Sequence, residues 1–153
     1  MEKNEFPTMD FESLFQTYET WKQFPSYSLE PRIDVFIAYY MHVSIQRKFG
    51  FTVSNVIPEF PLRCGTLYPN ETDRRGHNRS FNVDFYALST EGENLFIEVK
   101  SDSNSHNSKQ EKYLQELLKF NMSEILLGIK QIYSVTSLKK KYKRLLSELK
   151  KWV

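Results

Sequence analysis

Between Phe81 and Lys100 the chain alternates apolar and polar residues in two runs separated by a turn. Phe81, Val83, Phe85 and Ala87 alternate with Asn82, Asp84, Tyr86 and Leu88. After Glu91-Gly92-Glu93-Asn94, Leu95, Ile97 and Val99 alternate with Phe96, Glu98 and Lys100. A period of two predicts strands, and the polar break with its glycine predicts the turn of a β-hairpin. Side chains two apart on a strand point the same way, so Glu98 and Lys100 share a face. Folding the hairpin about residue 91 brings Asp84 opposite Glu98. Directly opposed residues have Cβ atoms ~4.5–5.5 Å apart, and like charges there are destabilising. A divalent cation would resolve that conflict, because hard ions take carboxylate oxygens as ligands. Lys100, one pleat further along, could orient a water and stabilise charge on a phosphate. Metal, water and ammonium together are what phosphodiester hydrolysis requires. The bland alternative is a solvent-facing Glu-x-Lys pair, common on half-exposed strands, and it predicts that Asp84 and Glu98 do not converge.

The flanking segments read mostly as helices. Phe11, Leu14, Phe15, Tyr18 and Trp21 recur at helical spacing and predict a helix over 9–24. A second helix is expected from Ser28 as N-cap, with Pro31 in its first turn, to Lys48 before Gly50. Residues 52–62 read as an edge strand or a short one, because Pro58 and Pro61 cannot donate to a ladder. Residues 63–79 read as a polar loop, and 109–120 as a helix. The nearly continuous apolar run over 125–132 predicts a strand covered on both faces. A basic amphipathic helix is expected over 137–152. The order predicts an α/β chain with a mixed four-stranded sheet flanked by helices. One domain over 1–153 is expected, with its core at about 28–134.

Charge and cysteine content narrow the function classes. Cys64 is the single cysteine, so no intramolecular disulfide can form and a zinc–cysteine site is disfavoured. The acidic start, Met1-Glu2-Lys3-Asn4-Glu5, and the lack of a long apolar run predict a cytoplasmic chain without a membrane partner. Residues 139–151 hold seven Lys or Arg against one Glu, a charge of +6 that leaves −4 on the rest of a chain with net charge +2. Lys139, Lys140 and Lys141 therefore head a basic patch suited to nucleic acid, or alternatively a solvated helix face. Arg74, Arg75 and Arg79 are candidates for backbone contacts, since guanidinium forks pair with phosphate oxygens. His42, His77 and His106 have no ligand spacing to one another, and His42 reads as packed or surface-exposed.

The combination of Asn82-Val83-Asp84, Ile97-Glu98-Val99-Lys100 and a following helix with Gln110 and Tyr113 resembles the PD-(D/E)XK nuclease superfamily, the restriction-endonuclease-like fold. The likeness runs from about Glu30 to Tyr133, with Val83 standing where the motif's name has Pro. It implies an αβββαβ core and Mg²⁺, with Mn²⁺ as a substitute. Asp84 and Glu98 would be metal ligands, the Val99 carbonyl a third, and Lys100 catalytic. Glu30 would complete the metal site, with Asp34 in reserve, although Glu30 equally suits the dipole of a helix start. Gln110 would help hold the substrate, with Lys109 and Tyr113 competing for that role and Tyr113 a further nucleic-acid contact. The implied activity is endonucleolytic and the expected polymer is DNA. Repair or junction resolution, restriction or defence, and transposition all stay open. A homodimer would fit duplex cleavage. The alternative is an inactive member of the fold that binds nucleic acid or protein.

Overall fold

The first alternating run forms its strand, the second forms one only as far as Ile97, and helices occupy most of the remainder. The computed structural model describes residues 10–21, 23–25, 34–70, 76–99 and 108–152. In chain order the elements are α1 (Phe11–Trp21), α2 (Asp34–Phe49), β1 (Val53–Arg63), a single helical turn α3 (Cys64–Leu67), β2 (Ser80–Ser89), β3 (Asn94–Ile97), α4 (Ser108–Leu117), α5 (Met122–Val135) and α6 (Lys139–Leu149). Asp10 starts α1, accepting from the backbone N–H of Glu12 at 3.1 Å and from the Ser13 hydroxyl. Those bonds, the Ser13 hydroxyl first, hold its carboxyl below the ordinary value of 3.8. The expected start of α2 at Ser28 lies outside the described residues.

The sheet is three-stranded and antiparallel, in the order β1-β2-β3. The proline-bearing β1 lies at an edge, as its composition predicted, with Pro58 opposite Phe85 and Pro61 opposite Asn82. The hairpin keeps the predicted register, running from Leu88 opposite Asn94 to Phe85 opposite Ile97. Ser89 is buried at its turn, where the hydroxyl accepts from Glu91 N at 3.2 Å and Glu93 N at 2.9 Å.

Two expectations are corrected. The run over 125–132 is helix α5, so the described residues carry three antiparallel strands instead of a mixed four-stranded sheet. A capping box decides the matter locally. Asn121 accepts from Glu124 N at 3.0 Å, and Glu124 accepts from Asn121 N at 2.9 Å. The buried residues Ile125, Gly128, Ile129 and Ile132 then follow helical spacing and form one inward stripe. The second correction is inside the expected 63–79 loop, where α3 buries Leu67.

Rings link the helices to the sheet. Tyr86 and Phe96 pair across β2 and β3 with centroids 5.2 Å apart, Phe60 reaches Tyr86 from β1 at 4.6 Å, and Trp152 stacks on Tyr86 at 5.6 Å. Trp21 of α1 meets Phe85 at 6.2 Å. Phe85 and Tyr86 are neighbours on a strand, so these contacts lie on opposite faces of the sheet. Among the described residues no helix is long and apolar enough to cross a membrane.

Candidate active site

Asp84 lies in β2 and Glu98 follows directly after β3. The Phe85–Ile97 pair is the last of the hairpin ladder, so Asp84 and Glu98 are the residues next to its open end. Asp84 reaches across that end, its Oδ2 accepting from the backbone N–H of Val99 at 2.8 Å. Both carboxylates are half-buried.

Helix α4 supplies the partners of Glu98. Gln110 and Tyr113 are three residues apart and so share a helix face. Gln110 Nε2 donates to Glu98 Oε2 at 3.1 Å, and the Tyr113 hydroxyl donates to Oε1. The hydroxyl also lies 3.3 Å from the Asn82 carbonyl, but it has one proton and the charged acceptor is nearer. Tyr113 is 4% exposed and its ring stacks on Phe81 at 5.1 Å. Burial raises the ionisation of its phenol far above the ordinary range, and the Glu98 hydrogen bond and the charges of Glu98 and Asp84 add to the effect. The phenol therefore remains a neutral donor. Asp84 and Glu98 both act on this one hydroxyl, which places them in one electrostatic neighbourhood.

Glu59 carried no signal in the sequence, and Asn82 was read only as part of its motif. Glu59 stands across β1 from Asp84, between the Pro58–Phe85 and Phe60–Val83 pairs. Its φ of 49° is the left-handed conformation, the one such non-glycine among the described residues. Asn82 Nδ2 donates to Glu59 Oε2 at 3.4 Å, while Asn82 Oδ1 is buried and accepts no hydrogen bond from the described residues. A polar residue on a strand has no mark of this kind in sequence.

The donor set of Asp84 and Glu98 is all oxygen, which fits a hard divalent cation. Among the described residues, no three His, Cys, Asp or Glu side chains gather into a metal-holding group. Glu30, Lys100, Arg74 and Arg75 lie outside the described residues. Asp34 is the first residue of α2. Arg79 is exposed just before β2, and its carbonyl accepts from Cys64 N at 2.8 Å.

The basic segment is partly committed to structure. Lys139 donates to the carbonyls of Tyr133 and Ser134, the latter at 2.6 Å, and so ties the end of α5. Glu148 pairs with Arg144 at 3.1 Å and Lys151 at 2.9 Å. Lys140, Lys143 and Lys150 are exposed and Lys141 is half-buried. His42 Nδ1 lies 3.1 Å from the Val53 carbonyl and joins α2 to β1, a packing role. A cavity of about 670 Å³ between α1, α2 and β1 is lined by none of Asp84, Glu98, Gln110 or Tyr113.

No family model matches the chain, and neither a curated protein nor a solved structure matches it.

Proposed function

We propose that the chain is a divalent-cation-dependent nuclease of the PD-(D/E)XK type, hydrolysing nucleic-acid phosphodiester bonds, with DNA as the polymer. The observation that carries this reading is the Glu98 carboxylate held at both oxygens by Gln110 and Tyr113, while Asp84 of β2 accepts from the backbone N–H of the next residue, Val99. Two acids set across a hairpin from each other repel, and fixing them there by hydrogen bonds is costly unless a cation uses the pair. The run α2-β1-β2-β3-α4, interrupted by the short α3, follows the helix and strand order of that superfamily up to the helix after the acidic pair. Helix α5 stands where its next strand would be.

In this mechanism Asp84 and Glu98 would hold Mg²⁺, with the Val99 backbone beside them. A divalent ion held there would supply Lewis acidity, lowering the pKa of a water and polarising the scissile phosphate. Gln110 and Tyr113 orient Glu98, and the Tyr113 phenol stays protonated while doing so. Lys100, two residues past Glu98, supplies the cationic group that faces developing charge on the phosphate.

Three substitutions separate these roles. Asp84→Ala and Glu98→Ala are each expected to weaken Mg²⁺ or Mn²⁺ binding, because each removes a charged ligand from a site with few. Lys100→Ala is expected to leave metal affinity intact or slightly higher, while single-turnover cleavage falls by a factor on the order of 10²–10³. Calorimetric metal titration beside a cleavage assay distinguishes the two. Wild-type protein that binds no divalent ion would end the nuclease reading in favour of an inactive binding module.

A further inference from the structure

Helix α4 carries a second cluster on the side facing α3. Lys112, Glu116 and Phe120, at one-turn spacing, form one wall of a cleft of about 520 Å³, and Tyr68, Pro69 and Asn70 form the other. The Tyr68 ring is half-buried, and the Lys112 ammonium lies 5.7 Å from its centroid. Glu116 accepts from Lys119 at 2.8 Å, so the cleft holds a carboxylate whose charge is balanced from outside the lining. Rings join this cleft to the acidic pair. Tyr68 meets Phe81 edge-on at 6.0 Å, Phe81 stacks on Tyr113 at 5.1 Å, and Tyr113 donates to Glu98.

We propose that this cleft takes one unpaired nucleobase of the substrate, and thereby that the enzyme acts where single-stranded nucleic acid adjoins the scissile phosphate. A base offers a π-face and an edge of donors and acceptors, and the cleft offers their complements. Tyr68 supplies the stacking surface, Glu116 accepts from an exocyclic amino group, and Asn70 can serve either kind of edge atom. The Lys112 ammonium lies over the ring face, and its exposed, flexible stem lets a stacking base displace it toward the nucleotide's own phosphate. A base inside a duplex hides its faces in the stack, so the occupant must be single-stranded, flipped or at an unpaired end. The ring chain through Phe81 and Tyr113 connects such a base to Glu98. The substrate class rests on the nuclease reading, whereas base capture itself does not.

The test uses the full chain and a short DNA strand carrying 2-aminopurine, alone and annealed into a blunt duplex. Binding without added metal is read by fluorescence quenching and anisotropy, and cleavage of both forms is read separately with Mn²⁺. Quenching on the single strand and about tenfold tighter binding than to duplex are expected. Tyr68→Ala should lose the quenching and about tenfold in affinity. Tyr68→Phe should keep both, and Lys112→Gln should weaken binding several-fold with the quenching retained. If Tyr68→Ala fails to fold, the single-strand preference and the Lys112→Gln loss decide in its place. Equal affinity for both forms, or quenching that survives in folded Tyr68→Ala, would overturn the proposal. Mn²⁺-dependent cleavage without Tyr68-dependent quenching removes the cleft and keeps the nuclease. Tyr68-dependent quenching without cleavage keeps the cleft and removes the nuclease.

Discussion

Replacing Tyr113 by Phe removes one hydroxyl from the candidate active site and leaves every proposed metal ligand in place. The ring should hold its position, because it is 4% exposed and stacked on Phe81 at 5.1 Å. What disappears is a hydrogen bond to a charged carboxylate, a class worth about 1.5–3 kcal/mol when made. Glu98 is half-buried and keeps the Gln110 amide at 3.1 Å, and water can reach it, so the stability loss should sit near or below the lower end, at about 1 kcal/mol. For a chain of this size that corresponds to a fall in Tm of roughly 2–4 °C. Metal affinity should respond more strongly. Partners that orient a ligating group typically contribute about 10–100-fold in affinity or activity. Mn²⁺ titration by calorimetry on wild type and Tyr113→Phe, beside thermal unfolding of the same samples, reads both quantities. A weaker Kd with a small Tm loss is the expected pair. The sign is the sharp part. If the hydroxyl competes with the ion for Glu98, its removal must tighten binding. Tighter or unchanged Mn²⁺ affinity in Tyr113→Phe would therefore refute the positioning argument, whatever happens to stability.

Gly128→Ala should destabilise the chain by about 1 kcal/mol, because overpacking costs more than the gain in helix propensity returns. The added Cβ would fall 2.5 Å from Thr66 Oγ1, so Thr66→Ala in the same chain should recover part of the loss in urea unfolding. Stability should also fall as pH rises above 10, the ordinary value for tyrosine. Burial pushes Tyr86 up to about 12 and raises Tyr113 and Tyr142 as well. The unfolded chain therefore loses those protons first, and the stabilisation present below pH 10 is lost as pH climbs toward the folded values. An alkaline limb that Tyr113→Phe leaves unchanged would contradict this for Tyr113.

The hairpin was legible because three signals agreed: alternation over 81–88, alternation over 95–100, of which the strand keeps the part up to Ile97, and a polar turn between them. The register from Leu88–Asn94 to Phe85–Ile97 followed from symmetry about residue 91. The fourth strand failed for a specific reason. Ile125 to Ile132 is apolar at nearly every position, and a continuous apolar run has no period that separates a buried strand from a buried helix. The deciding signal lay just outside the run, in the Asn-x-x-Glu of Asn121 and Glu124, which only a helix start uses twice. Glu59 was illegible for another reason. Its left-handed φ breaks the strand period at the residue where the period would have been read. Lys139 looked like the head of a basic patch because its partner is a helix end, and that end was invisible while α5 was taken for a strand.

Helix α5 also bears on the site from a distance. It crosses α3 at Gly128, where a Cβ would meet Thr66 and Arg63, so the helix backbone lies directly on the turn that ends β1. That turn is closed by Cys64 N donating to the Arg79 carbonyl at 2.8 Å and Gly65 N donating to the His77 carbonyl at 2.9 Å. A Cβ on Gly65 would stand 2.8 Å from His77 Cβ, so the two segments can approach only with glycine there. Arg63 Nε adds a bond to Asn78 Oδ1 at 2.9 Å from the same place. These contacts fix where β2 begins, with Ser80 opposite Arg63, and the ladder carries that register along to Asn82 and Asp84. On a strand a slip of one residue turns every side chain to the other face. The turn beneath α5 thus protects the sheet face that Asp84 takes, and a fault there would reach the candidate site as a loss of register, with every proposed ligand still present.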